Sequence, residues 1–131
     1  VIDRAPLDRW YAYVANHDPA ELRAMLDEAC VFRSPVVHTP QTGKAKTFAY
    51  LAAAFEVLGG EGFRYTREFT RDRGAVLEFE TELDGVTING VDMIEWNEAG
   101  LIVDFKVMVR PLKAINLLHA LMAAELSRAT R

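Results

Sequence analysis

The chain has 131 residues, half of them apolar, which is the length of one domain with enough side-chain volume for a core. Its 19 acidic and 15 basic residues leave a net charge of −4 without a long like-charge block, so the electrostatic footprint of a nucleic-acid binder is absent. No apolar run approaches the roughly 20 residues of a bilayer span, residues 1–7 do not read as an export signal, and the single cysteine, Cys30, excludes an internal disulfide and fits a reducing cytoplasm.

Leu7, Trp10, Tyr11 and Val14 fall at helical spacing and predict a first helix with one buried stripe, broken at Asn16-His17. Asp18-Pro19-Ala20-Glu21 reads as a capping box that opens a second helix, with Leu22, Met25, Leu26 and Ala29 on its apolar face. Residues 30–34 predict a short strand stopped by Pro35, and an irregular connection carrying Pro40 follows. Thr42 or Gly43 starts a third helix, in which Phe48, Leu51, Ala52 and Phe55 repeat at three and four residues before Gly59-Gly60 ends it.

Beyond that point the pattern is that of strands. Phe63, Tyr65 and Phe69 alternate with Arg64, Thr66 and Glu68 up to a turn at residues 71–74. Leu77, Phe79, Thr81 and Leu83 then alternate with Glu78, Glu80 and Glu82, which puts the first set on the core. Turns at Asp84-Gly85 and at residues 97–100 separate two further strands, over 86–96 and 101–109, and short turns between successive strands imply an antiparallel meander. Pro111 opens a last helix with Leu112, Ile115, Leu118 and Met122 on one face, which packs on the domain, closes a pocket mouth or meets a second subunit.

Much familiar chemistry is missing. His17, His38 and His119 stand far apart, without HExxH spacing or a cysteine pair, so no metal is expected. The glycines at 59, 60 and 62 follow a helix instead of linking a strand to a helix, so they form no phosphate cradle. No GxSxG elbow occurs, and no cofactor is expected. One residue departs from its surroundings: Val86, Ile88, Gly90, Asp92, Ile94 and Trp96 share a strand face, and only Asp92 among them ionises. If that face lines a cavity, desolvation raises the pKa of Asp92, which then donates a hydrogen bond to an oxygen gaining charge, or ionises and acts as a base. The alternative is an ion pair with an arginine such as Arg67. Gly90 beside it leaves room for a ligand or marks a bulge.

Several stretches resemble the ketosteroid isomerase and SnoaL-like polyketide cyclase branches of the nuclear transport factor 2-like superfamily. They are Asn16-His17-Asp18 into Leu22, Ala29-Cys30-Val31 leading to Ser34-Pro35, Thr42-Gly43, and above all the run from Val91 to Gly100. The resemblance implies an α+β cone across residues 1–131, with three N-terminal helices on a strongly curved antiparallel sheet and an extra C-terminal helix. It also implies an interior that binds a small apolar ligand, often within a homodimer. Asp92 matches the isomerases' oxyanion-hole aspartic acid, whereas Trp10 stands at their tyrosine and Ser34 at their aspartate base, which argues against authentic steroid isomerisation. His38 is the nearest candidate base. Phe32, Phe79, Ile94, Trp96, Phe105 and Val107 are the expected walls, with Trp10 and Ser34 as further ligand contacts. Two functions remain open, a cofactor-independent isomerase or cyclase acting on a carbonyl compound through Asp92, and a non-catalytic binding or dimerisation module.

Overall fold

In the computed structural model, which describes residues 3–129, the chain runs α1 (Ala5–Asn16), α2 (Pro19–Ala24), β1 (Leu26–Arg33), β2 (Gln41–Thr42), α3 (Lys44–Leu58), β3 (Arg64–Arg71), β4 (Gly74–Leu83), β5 (Val86–Trp96), β6 (Ile102–Arg110) and α4 (Leu112–Ala129). α1 buries Leu7, Trp10 and Tyr13 and ends at His17, whose φ of 55° is the left-handed turn that closes a helix. Asp18 caps α2 by accepting the Ala20 N–H at 3.0 Å, with Pro19 in the first helical position.

α2 is shorter than the sequence spacing predicts. Leu26, expected on the helix, begins β1, where Leu26, Cys30 and Phe32 are buried. Ladder bonds to β6 decide the matter, since Leu26 lies opposite Ile102 and Phe32 opposite Phe105. A tertiary pairing of this kind outweighs a helical repeat of only four apolar residues.

The six strands form one curved, unclosed sheet in the order β2-β1-β6-β5-β4-β3. The expected antiparallel meander is present from β3 to β6, but β1 runs parallel to β6, so the sheet is mixed. This pair joins segments separated by the whole of α3 and four strands, a partnership that local alternation cannot reveal.

β3 also departs from the simple alternation. Tyr65 lies opposite Phe79 and Arg67 opposite Glu78, so Thr66 is an extra residue in a bulge. The bulge flips the residues after it, leaving Phe69 58% exposed on the outer face and turning Glu68 toward α1. There Glu68 accepts two bonds from Arg4, at 2.8 and 3.2 Å, and the Tyr11 hydroxyl at 2.6 Å, fastening α1 to the sheet edge.

Gly90 makes room for a protein side chain and not for a ligand. A Cβ there would lie 2.5 Å from Phe79 Cζ and 2.6 Å from the Met108 carbonyl oxygen. The Phe79 ring thus covers the glycine facing it across the ladder. Among the described side chains of α4, Leu118 is buried and Met122 partly buried, as expected, but Ala114 is buried in place of Leu112, which is 72% exposed.

Candidate active site

The concave face of the sheet, α3, the 34–37 turn and α4 enclose a cavity of about 200 Å³. Phe32, Phe79, Asp92, Phe105 and Val107 form the sheet wall. Tyr50, Leu51 and Phe55 come from α3, Ser34 to Val37 from the turn, and Leu118, His119 and Met122 from α4, which therefore covers the cavity as well as packing on the domain. The surface is almost wholly apolar, with Ser34, Tyr50, Asp92 and His119 as its polar side chains.

Asp92 sits between Leu77 and Val107 in the ladders and is only 5% exposed. Arg67 is not its partner; that guanidinium pairs with Glu78 instead. The Tyr65 hydroxyl donates to Asp92 Oδ2 at 2.5 Å and accepts from the Trp10 indole N–H at 3.0 Å. The direction of this relay is determined by chemistry, because an indole nitrogen can only donate, so Tyr65 directs its own proton to Asp92. Among the described residues, no buried side-chain oxygen or nitrogen lacks a partner, yet Asp92 Oδ1 receives no bond from the protein. Oδ1 is therefore the oxygen that borders the cavity, and a proton on Asp92 resides there.

Burial pushes the Asp92 carboxyl up from its ordinary value of 3.8 to about 7, against the Tyr65 hydrogen bond, which pulls it down. Burial, and then the neighbouring Asp92 charge, hold the Tyr65 hydroxyl well above the ordinary range, so it stays protonated. The pair is a phenol that keeps its proton beside a carboxyl that exchanges one near neutral pH.

Of the residues singled out in the sequence, Phe32, Ser34, Phe79, Asp92, Phe105 and Val107 meet at the cavity. Trp10 lies behind the wall, 1% exposed, packed on Tyr13, Phe55 and Phe105, and acts on Asp92 only through Tyr65. Ile94 and Trp96 continue the same strand face into the core beyond the cavity. His38 is exposed on the connection and is not part of the cavity wall. Sequence reasoning passed over Tyr65 and His119. Tyr65 could have been placed by carrying the β4 alternation across the turn at 71–74, although the bulge upsets the count; nothing local marks His119, which reaches the wall only because α4 folds back over α3.

The profile of the SnoaL-like domain matches residues 7–105. The chain belongs to the SnoaL-like family of the nuclear transport factor 2-like superfamily. This SnoaL-like chain is similar to the crystal structure of a steroid delta-isomerase from Pseudomonas aeruginosa, at 34% identity and a TM-score of 0.90, over 96% of this chain and 92% of that one. It also resembles an uncharacterized bacterial protein with a cystatin-like fold from Silicibacter pomeroyi, at 33% identity and a TM-score of 0.85, over 92% and 84% of the two chains. A protein of unknown function from Mesorhizobium loti, 21% identical with a TM-score of 0.71 over 85% and 97% of the chains, shares the fold. No protein of curated function matches the sequence. Among the described residues of this SnoaL-like domain, no group of His, Cys, Asp or Glu side chains is arranged to hold a metal ion, and no helix is long and apolar enough to cross a membrane.

Proposed function

We propose that this SnoaL-like domain binds a small, uncharged, apolar carbonyl compound in its cavity and uses Asp92 to move one of the compound's protons, as cofactor-independent isomerases and cyclases do. The observation that carries the reading is that, among the described residues, one carboxyl without a cationic partner stands on an apolar wall, one oxygen tied to Tyr65 and the other open to the cavity. With its pKa near 7, Asp92 has both protonation states available at neutral pH, the condition under which general acid–base catalysis is most effective. Among the described residues no lysine or arginine borders the cavity, which disfavours an anionic ligand. An apolar cavity of about 150 Å³ admits benzene, so one of about 200 Å³ suits a molecule of one or two rings. Similarity to the Pseudomonas steroid delta-isomerase supports the reaction class, while Trp10 and Ser34, standing at the isomerases' tyrosine and base, speak against the steroid reaction itself.

A non-catalytic binding role is the second reading, favoured by the exposed position of His38 and by the lack, among the described residues, of a second carboxyl on the wall. A two-ring ketone with acidic α-hydrogens, 2-tetralone, separates the two. Catalysis requires that the protein raise the rate of α-hydrogen exchange into D₂O, followed by proton NMR, and that Asp92→Asn remove the acceleration while binding persists. Binding and a raised melting temperature without exchange would leave only the second reading.

The assembly proposed is a homodimer through the outer face of the sheet. Phe69, Val76 and Met93 form one cross-strand row there and Val91 and Met108 another, with Phe69 and Met108 58% and 49% exposed.

A further inference from the structure

We propose that Ser34 is a dedicated hydrogen-bond donor to the ligand's carbonyl oxygen, which docks that oxygen at the 34–37 turn and presents the adjacent carbon to Asp92. The inference rests on the reading of the cavity given above and names which group binds which end of the ligand.

Ser34 lies just past the end of β1, where Pro35, which has no N–H, turns the chain. The next two N–H groups fold back onto the serine: Val36 donates to Ser34 Oγ at 3.0 Å and Val37 at 3.3 Å. A hydroxyl has two acceptor lone pairs and one proton to give. Both acceptor positions are occupied, and among the described residues the Ser34 proton has no acceptor in the protein. Ser34 is half-buried and lines the same cavity as Asp92, where a ligand's carbonyl oxygen can take the free proton. Two donors on one oxygen also polarise its O–H bond and strengthen it as a donor. Such a group cannot serve as a base, since its lone pairs are taken.

The division of work follows. Ionised Asp92 takes the α-proton at Oδ1, the C–H electron pair becomes the carbon–carbon double bond of an enolate, and the carbonyl π pair moves onto oxygen. That oxygen keeps its negative charge against the Ser34 hydroxyl. Reprotonation by Asp92, at the same carbon or at the far end of a conjugated system, restores the carboxylate, so the cycle needs no oxidant, reductant or external acid.

The test uses the carbonyl stretching band of 2-tetralone bound to the full chain at pH 9, where Asp92 is ionised and cannot donate. In the wild type the band is expected at lower wavenumber than in hexane. Ser34→Ala should return it most of the way and slow α-hydrogen exchange about 100-fold, while Ser34→Thr, which keeps the hydroxyl, should retain both. A wild-type band at the hexane position overturns the inference without any variant, and so does an unshifted band in a folded Ser34→Ala protein. If Asp92→Asn abolishes exchange but Ser34→Ala leaves band and rate unchanged, the Ser34 assignment alone falls. If 2-tetralone does not bind, or Asp92→Asn exchanges it as fast as the wild type, the reading of the cavity falls and takes the Ser34 assignment with it.

Discussion

Replacing Asp92 by Asn should change how the stability of the folded chain depends on pH, and the size of the change follows from burial. The folded carboxyl holds its proton up to about pH 7, whereas in the unfolded chain it releases it near its ordinary value of 3.8. Between those limits the folded state binds more protons than the unfolded one, so stability must fall as pH rises. The contribution is fully present below about pH 4, is lost through about pH 7 and is flat above. Three pH units at 1.36 kcal/mol each amount to about 4 kcal/mol. For a domain of this size that corresponds to a melting-temperature difference of about 10 °C or more. Asparagine cannot ionise, yet its side-chain oxygen can still accept the Tyr65 hydroxyl. Other carboxyls titrate in both proteins and cancel in the comparison, Glu68 and Glu78 among them, which their partners hold below the usual carboxylate range. The assay is urea unfolding of the two proteins from pH 4 to pH 9. The variant should gain about 4 kcal/mol on the wild type across that span, nearly all of it below pH 8. Parallel curves would show that Asp92 ionises at an ordinary pH, which would remove the physical basis of its assigned chemistry.

Further outcomes follow from individual contacts. Tyr65→Phe leaves the buried Trp10 indole without an acceptor, so urea unfolding should show a loss of about 1–3 kcal/mol. The same change removes the bond that lowers the Asp92 pKa, so the pH midpoint of 2-tetralone exchange should move above about 7. Gly90→Ala drives a methyl into the Phe79 ring and the Met108 carbonyl, and should cost about 1–3 kcal/mol or more in the same assay. Light scattering at micromolar concentration should give a dimeric mass for the wild type and a monomeric one for Phe69→Lys; a monomeric wild type would reject the outer sheet face as an interface.

Much of this protein was legible in the order of its residues, where the information is local. The Asp18-Pro19 cap, the glycines that bound α3, and the alternation of Leu77, Phe79 and Thr81 against glutamates each express a preference that operates within a few residues. The same alternation singled out Asp92, because a carboxyl on an apolar strand face is anomalous wherever the strand goes. Tertiary structure alone decided the rest. The parallel pairing of β1 with β6 turned Leu26 from a helix residue into a strand residue, and the bulge at Thr66 reversed the faces of Glu68 and Phe69. It also set Tyr65 against Asp92, turned Trp10 from a ligand contact into the anchor of that tyrosine, and left His38 outside the cavity while α4 brought His119 to its wall. These outcomes depend on contacts between segments tens of residues apart, whose free energies come from burial and hydrogen bonding in three dimensions and leave no periodic trace along the chain.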